Sequence, residues 1–337
     1  MRFHLLTKCV SGVSIAGMCV AAVLSMPVAS AAQRTSSEGG GHFSFALIGD
    51  MPYGAEGDAK FPNTLAEINA DRTLSFVVHD GDIKNGSSLC TDAKFEDRLN
   101  VFNSSAHPFI YVPGDNEWTD CHRANNGGYD PLERLAHLRR TFFPTDESLG
   151  KRTMTLDRQS SDPLYPDYHE NVRWMVHDVL FVGLHVVGSN NNLGRNAAND
   201  LEFADRNAAN LAWLHESFAI AESEGVIAVM VVIQANPNFD LPASDPRRSG
   251  FNDFLAALQS ETIALGRPVV LVHGDSHYFR IDKPMIGATS GRRVENFTRV
   301  ETFGELDNHW LRVEVSPGSP NVFVFDQRII AENLVQQ

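Results

Sequence analysis

The chain has 337 residues, of which 43% are hydrophobic and 21% charged, and this composition is typical of a globular protein with a large core. Its formal net charge at pH 7 is −14, from 28 Lys and Arg against 42 Asp and Glu. Proteins bind nucleic-acid backbones through basic surfaces, so this excess of acidic residues excludes nucleic-acid backbone binding as the function.

Residues 1–31 have the features of a secretory signal peptide. Two basic residues precede an apolar stretch from Val10 to Met26, and the segment ends in the A-x-A pattern Ala29-Ser30-Ala31. An N-terminal membrane anchor is the alternative, but the small residues and the polar residues after them favour cleavage. We therefore expect export to the periplasm or the extracellular space, with residues 32–42 as a flexible linker.

The mature chain left by this cleavage has 26 Lys and Arg against 42 Asp and Glu, a net charge of −16. No later apolar stretch is long enough to cross a bilayer, so we expect no membrane span in the mature chain. Two cysteines remain, Cys90 and Cys121. An exported compartment permits a disulfide between them, closing a loop of about 30 residues. Metal ligation by this pair is the alternative, although metal-binding cysteines usually lie closer in sequence.

Short apolar runs rich in Val, Ile and Phe alternate with periodic stretches that are typical of helices. Strands are predicted at 43–50, 74–82, 107–115, 179–188, 226–237, 268–277, 309–315 and 321–326. Helices are predicted over 130–143, 200–225 and 250–266, the first with Asp130 as its cap. This alternation indicates a layered α/β protein, and residues 43–330, which no Pro-, Gly- or Ser-rich break interrupts, are expected to form one domain.

Polar side chains follow the predicted strands at the points where the strands end. Gly-Asp pairs place Asp50, Asp82, Asp115 and Asp275 at four such ends. Ligand sites in layered α/β sheets lie beyond the carboxyl ends of strands, so we expect these carboxylates to converge. Converging carboxylates repel one another unless cations lie among them, and divalent metal ions meet that requirement. Four independent Gly-Asp turns are the alternative.

The motifs GDMPY, HDGDIKNG, PGDNEW, QANP and HGDSH lie between about Phe43 and Arg280. Their order and spacing resemble those of the calcineurin-like metallophosphoesterase family. The resemblance implies a single-domain, four-layer α-β-β-α sandwich that binds two metal ions and hydrolyses phosphate mono- or diesters. It also implies ligand roles: Asp82 bridges both ions, Asp50 and His277 bind one ion, and Asp115 and Asp275 bind the other.

The departures from the family pattern share a direction. Pro52 takes the place of the first His, so Tyr53 becomes a candidate ligand there. Asp115 replaces an Asn, and Asp275 replaces a His, as in the Gly-Asp-x-His ending of some alkaline phosphatases of the superfamily. The place of the intermediate His is flanked by two further candidate ligands, Gln234 and Asn236. Oxygen donors thus replace nitrogen donors, which favours Mn, Mg, Ca or Fe over Zn.

The residues for proton transfer and substrate binding are less well defined by the motifs. Asn116 stands where the family has a catalytic His, and an amide cannot protonate a leaving alkoxide. His122 and His273 are candidates for that role, although a core or supporting role is the alternative for each. Loops after the strands carry candidate donors to phosphate oxygens, for which solvated surface positions are the alternative: Lys84, Asn85, Asn191, Arg195 and Arg280.

Together these features predict an exported metal-dependent phosphoesterase acting on a small phosphoester substrate. The expected mechanism is in-line attack on phosphorus by a hydroxide that bridges two metal ions. One alternative is a catalytically degenerate protein of the same fold that binds metal or phosphate. Another is an exported structural module whose Gly-Asp turns are coincidental.

Overall fold

The computed structural model describes residues 41–334, so the predicted signal peptide and most of the predicted linker lie outside the described residues. The strands are β1 (Phe43–Ile48), β2 (Leu74–His79), β3 (Phe109–Tyr111), β4 (Asp157–Arg158), β5 (Val172–Val176), β6 (Val179–Gly183), β7 (Ala228–Val232), β8 (Val269–His273), β9 (Arg280–Asp282), β10 (Phe297–Glu301), β11 (Trp310–Val315) and β12 (Phe323–Arg328). The α-helices are α1 (Gly54–Ala70), α2 (Asp92–Asn103), α3 (Pro131–Phe142), the single turn α4 (Gly188–Asn191), α5 (Ala197–Ser223) and α6 (Asn252–Leu265).

The strands form two mixed sheets. The first has the order β12-β11-β1-β2-β3, and β1, β2 and β3 are parallel. The second has the order β4-β5-β6-β7-β8-β10-β9, with β6, β7, β8 and β10 parallel. The carboxyl ends of these parallel strands carry the polar motifs, as expected for a layered α/β sheet.

Apolar side chains divide into three large clusters that separate four layers. Phe45, Phe76 and Phe181 belong to the central cluster, to which strands of both sheets contribute. A second cluster covers the other face of the first sheet with residues of α1, α2 and α3, among them Phe61 and Phe102. The third cluster covers the second sheet with residues of α5 and α6. Each sheet is therefore buried on both faces, which explains the nearly continuous apolar strands.

The predicted fold class, a single-domain α-β-β-α sandwich, is confirmed. All eight predicted strands and all three predicted helices are present, and Asp130 caps α3 by accepting hydrogen bonds from the N–H groups of Leu132 and Glu133. The elements additional to the prediction are helices α1, α2 and α4 and strands β4, β5, β9 and β10. Among residues 41–334, no helix combines the length and the apolar character that a bilayer span requires.

Candidate active site

Four predicted ligand residues lie together beyond the carboxyl ends of β1, β2, β3 and β8. The backbone N–H of Asp275 donates to Oδ2 of Asp50 at 3.0 Å, which joins the end of β8 to the end of β1. The backbone N–H of Asn116, the residue after Asp115, donates to Oδ1 of Asp82 at 3.1 Å and joins β3 to β2. The structure therefore brings motifs separated by up to 225 residues into one site.

The backbone at these positions is unusual for residues with side chains. Asp50, Asp82, Asp275 and His277 have φ angles of 49°, 59°, 77° and 58°. This left-handed region is uncommon for residues other than glycine and costs conformational energy. Such residues cluster at functional sites, where the surrounding structure holds them in place. The cluster is therefore independent support for a functional site at these strand ends.

Glycine allows the close approach of neighbouring motifs. A Cβ atom on Gly114 would overlap the carboxylate of Asp82, and a Cβ atom on Gly274 would overlap that of Asp50. Only glycine fits at both positions. The glycine before one aspartate thus makes room for the aspartate of another strand, which gives the repeated Gly-Asp pair a physical reason.

Asp82 lies at the centre of a hydrogen-bond network. Its Oδ2 accepts from the Tyr53 hydroxyl at 2.9 Å, from Nδ2 of Asn116 at 2.7 Å and from Nε2 of Gln234 at 3.1 Å. The Tyr53 hydroxyl also lies 3.2 Å from Oδ1 of Asp50. Tyr53, Asn116 and Gln234, all singled out by the motifs, therefore contact the central carboxylate directly.

The negative charges of the carboxylates raise one another's pKa values. Burial, followed by the charges of Asp115, Glu117 and Asp50, raises the pKa of Asp82 well above its usual value. Burial and then the charge of Asp275 do the same to the pKa of Asp115. Burial and the charge of Asp50 raise the pKa of Asp275 to about 7. The protein has thus assembled negative charge in a site that favours its neutralisation by protons or cations.

His277 completes one side of the site. Its Nε2 lies 3.4 Å from Oδ1 of Asp50, and its Nδ1 lies 3.3 Å from Glu305. Burial lowers the pKa of His277, but the hydrogen bond and charge of Asp50 outweigh it, and the pKa rises to about 9. On the neighbouring loop, the backbone N–H of Asn236 donates to Oδ2 of Asp275 at 2.9 Å, while its side chain bonds to Ser276.

The opposite side of the site is built around Asp115. The Ser189 hydroxyl, in the left-handed turn α4, lies 2.8 Å from Oδ2 of Asp115 and 2.8 Å from Oδ1 of Asp120. Oε1 of Gln234 accepts from the backbone N–H of Gly188 at 2.7 Å. Gln234 therefore links Asp82 to the turn that contacts Asp115.

The five predicted substrate-binding residues have different environments. Lys84 is buried beside the acidic cluster and donates to the Asn85 carbonyl at 3.0 Å. Asn85 is partly exposed at the same loop, and a Cβ on Gly54 would lie 3.6 Å from its Nδ2. Arg195 is partly exposed and donates to Thr119, four residues beyond Asp115.

One of these predictions does not suit the structure. Asn191 is fully buried, and its amide bonds to Arg206 and to the Gly250 carbonyl, so it supports the fold and has no free group for a substrate. Arg280 forms a 2.7 Å ion pair through Nε with the buried Glu301, its side chain is 24% exposed, and its substrate role stays a prediction.

The candidate proton donors also differ. His273 is fully buried at the end of β8, and burial lowers its pKa to about 3. A histidine that stays neutral and has no access to solvent cannot serve as a general acid, so His273 is not retained. His122 is exposed, and its Nδ1 lies 2.8 Å from the Thr119 carbonyl. Asn116 lies in the site but supplies only an amide.

Sequence reasoning missed several polar residues that lie in or beside the site: Asp80, Glu117, Asp120, Arg123 and Ser189. Glu117 accepts from the Tyr111 hydroxyl at 2.7 Å and from backbone N–H groups of two loops. Asp80 and Glu117 stand inside motifs already recognised, HDGD and GDNEW, so their proximity to Asp82 and Asp115 was an available signal. Ser189 lies in the polar, Gly-containing stretch 188–196, and this stretch was the available signal because it follows a predicted strand.

The Cys90–Cys121 disulfide predicted from the sequence is present, with a Cα–Cα distance of 5.8 Å. It joins the loop after Asp82 to the loop after Asp115. Both Sγ atoms lie near the Asn116 carbonyl, at 3.6 and 3.7 Å. Metal ligation by these two cysteines is thereby excluded, because both sulfurs are bonded to each other.

Within residues 41–334, no three or more His, Cys, Asp and Glu side chains are arranged as a ready metal-binding group. At Asp82, the side chains of Tyr53, Asn116 and Gln234 place hydrogen-bond donors against the carboxylate. Bound cations would have to replace some of these hydrogen bonds. In charge and donor type, however, the oxygen-rich set suits hard cations.

No family model matches the sequence, and no curated protein matches it. Solved structures do match. The structure of PhoD has a TM-score of 0.54 and 15% identity, and the match covers 82% of this chain and 64% of that chain. GAP50, described as the anchor in the inner membrane complex of Plasmodium, has a TM-score of 0.48 and 12% identity, covering 86% of this chain and 89% of that one.

A 5'-nucleotidase from Candida albicans has a TM-score of 0.43 and 12% identity, covering 85% of this chain and 50% of that one. This chain therefore spans 64% of the length of PhoD and half the length of the nucleotidase. Identities this low show the fold alone, and of these three structures PhoD has a TM-score above 0.5. The chain shares the fold of PhoD.

Proposed function

We propose that the protein is an exported, metal-dependent hydrolase of phosphate esters. The observation that supports the proposal is the set of four aspartates at neighbouring strand ends, of which Asp50, Asp82 and Asp115 are buried and Asp275 is partly buried and donates its backbone N–H to Asp50. Within residues 41–334, no Lys or Arg forms an ion pair with any of these four carboxylates. Such a site is costly unless cations neutralise it.

The proposed ligands are the side chains that converge there: Asp50, Tyr53, Asp82, Asp115, Gln234, Asn236, Asp275 and His277. Asp82 is the proposed bridging ligand of two ions, because it lies between the Asp50 and Asp115 sides of the site. Oxygen donors predominate, which supports Mn, Mg, Ca or Fe over Zn. When bound, such ions supply Lewis acidity and activation of water for attack on phosphorus.

The chain's own residues would position the substrate and the metal ligands. Asn116 and Gln234 orient the Asp82 carboxylate through their amides, and the buried Lys84 offsets part of the negative charge. None of these groups readily protonates a leaving group, so the preferred esters are those with acidic leaving groups, such as phenols. Export is supported by the Cys90–Cys121 bridge, since disulfides persist in oxidising compartments.

The test is elemental analysis of the purified protein together with a phosphoester panel. Each ester is assayed after EDTA treatment and after addition of Mn, Mg, Ca, Fe or Zn. The proposal expects stoichiometric metal and turnover that EDTA abolishes and an oxygen-preferring metal restores. A protein that holds no metal and hydrolyses no ester under any of these conditions contradicts it.

One observation favours a second candidate, a catalytically degenerate protein that binds metal or phosphate. The Asp82 carboxylate accepts four hydrogen bonds from Tyr53, Gln234 and the backbone and side chain of Asn116, so the protein itself satisfies it. Stoichiometric binding of metal or inorganic phosphate, without turnover of any ester, would identify this candidate.

A further inference from the structure

Two arginines share one buried carboxylate at the edge of the candidate site. Nη1 of Arg123 lies 2.7 Å from Oδ2 of Asp120, and Nη2 of Arg195 lies 3.8 Å from Oδ1 of the same residue. Arg195 is held further by Thr119, whose carbonyl and hydroxyl accept from its two Nη atoms at 2.7 and 2.9 Å. Segments 72 residues apart in sequence thus place two guanidinium groups side by side.

This arginine pair, Arg123 and Arg195, lies next to the carboxylate centre. The Ser189 hydroxyl contacts both Asp120, the carboxylate that both arginines share, and Asp115, a proposed metal ligand. A single hydroxyl therefore separates Asp120 from Asp115. On the Asp82 side, a Cβ atom on Gly86 would lie 2.9 Å from Oδ1 of Asn116 and 3.1 Å from Nη1 of Arg123.

The pair also keeps access to solvent. The Arg123 side chain is 43% exposed and the Arg195 side chain 23%, whereas Asp120 is buried. Because two guanidinium groups share one carboxylate, Arg123, Arg195 and Asp120 together keep a net positive charge. A solvent-accessible pair of cations beside a buried acidic centre is suited to bind an anion that bridges the two guanidinium groups.

We propose that Arg123 and Arg195 bind oxygens of a dianionic phosphoryl group, so that the site selects phosphomonoesters over phosphodiesters. This inference rests on the proposed hydrolase function. A monoester is mostly dianionic above its second pKa of about 6, whereas a diester carries one negative charge. Guanidinium forks match phosphate oxygens in geometry, and charge-assisted hydrogen bonds are the strong ones.

The test compares 4-nitrophenyl phosphate with bis(4-nitrophenyl) phosphate at pH 8, since both release the same leaving group. We expect the wild type to prefer the monoester. Arg123→Gln and Arg195→Gln should each lower kcat/KM for the monoester by about tenfold or more, the worth of a charged hydrogen bond, and for the diester by less than about threefold. Equal losses for both substrates, or an unchanged monoester rate, overturn the inference.

Arg328→Gln is the matched control, because this arginine on β12 is 42% exposed and also pairs with carboxylates, Glu67 and Asp326. It should change neither rate. Thermal melts confirm folding, and Arg195→Lys, which keeps the charge but loses the fork, replaces Arg195→Gln if the latter does not fold.

If the wild type hydrolyses neither ester, the proposed hydrolase function fails, and this outcome alone does not decide the role of the arginine pair. The arginine pair is then judged by calorimetric titration with inorganic phosphate. Binding that weakens about tenfold in both Arg→Gln variants, but not in Arg328→Gln, supports the pair. No phosphate binding by the wild type, or equal binding by the variants, overturns it.

Discussion

The hydroxyl of Tyr53 lies between two carboxylates, 2.9 Å from Oδ2 of Asp82 and 3.2 Å from Oδ1 of Asp50. It also accepts a hydrogen bond from Nδ2 of Asn116 at 3.0 Å. Burial, followed by the charges of Asp82 and Asp50, raises the pKa of Tyr53 well above its usual value. The hydroxyl therefore stays protonated and acts as a hydrogen-bond donor. One phenol thus stabilises the acidic pair in the absence of cations.

Tyr53→Phe removes this donor, so the buried carboxylates of Asp82 and Asp50 each lose a hydrogen bond. In the EDTA-treated protein we expect the free energy of unfolding to fall by about 1–3 kcal/mol, measured by urea denaturation. Metal content should fall as well, because Tyr53 is a proposed ligand. Tyr278→Phe is the control, since Tyr278 is largely exposed. Unchanged stability and unchanged metal content in Tyr53→Phe would contradict both roles.

Asp82→Asn tests the bridging role directly. The substitution keeps the shape of the side chain but removes the charge, so we expect loss of bound metal and of phosphoester hydrolysis while the protein still folds. Elemental analysis, steady-state assays and circular dichroism measure the three quantities. Asp326→Asn, on the exposed edge strand β12, should alter none of them. A variant that retains both metal and activity would rule out Asp82 as the shared ligand.

The site illustrates how far the sequence predicts this structure. Strand ends were predictable because apolar runs break at Gly-Asp pairs, and parallel strands bring their carboxyl ends to one edge. Helix α1 was not predictable in the same way, since it contains Gly57 and Pro62, which oppose helix formation. Packing of Phe61, Leu65 and Ile68 overrides that local preference.

Other features depend on contacts distant in sequence. The Ser189 hydroxyl reaches Asp115 across 74 residues, and Arg195 reaches Thr119 across 76. The sequence singles out Asp115 and Arg195 individually, but no local pattern identifies Ser189 and Thr119 as the residues that they contact. Asn191 shows the converse. Its loop position predicts a substrate contact, but its side chain is hydrogen-bonded to Arg206 and Gly250 inside the fold. Hydrogen-bond partners of this kind are fixed by topology rather than by local sequence.

The disulfide should stabilise both the fold and the site. Cys90 and Cys121 are 31 residues apart, and for a loop of this length the chain-entropy estimate is about 3–4 kcal/mol. The Cys90→Ala/Cys121→Ala variant should lose about that much in urea unfolding and have a lower kcat/KM, because the loops after Asp82 and Asp115 lose their covalent link. Dithiothreitol should reproduce the effect in the wild type and leave the double variant unchanged. Equal stability with and without the bond would contradict the prediction.

The raised carboxyl pKa values predict an unusual pH dependence in the metal-free protein. Burial and the charge of Asp50 raise the pKa of Asp275 from 3.8 to about 7, so between these values the folded state holds a proton that the unfolded state has released. Proton uptake by the folded state means that the contribution of Asp275 to stability is present at low pH and is lost as the pH rises to about 7.

Three buried histidines act in the opposite direction, because burial lowers the pKa of each below 6.5: His79, His185 and His273. The comparison of wild type with Asp275→Asn isolates the carboxyl contribution from theirs. After EDTA treatment, the stability of the variant relative to the wild type should increase between pH 4 and pH 7, as measured by urea unfolding at a series of pH values.

Metal should reverse the sign of this dependence. Ligands bind cations in their ionised form, so protons compete with metal and saturating Mn should stabilise the wild type more at pH 8 than at pH 5. Asp275→Asn should gain less from Mn at pH 8, because one ligand is lost. If the wild type and Asp275→Asn respond identically to pH with EDTA and with Mn, then Asp275 neither holds a proton in the free site nor binds a cation in the filled one.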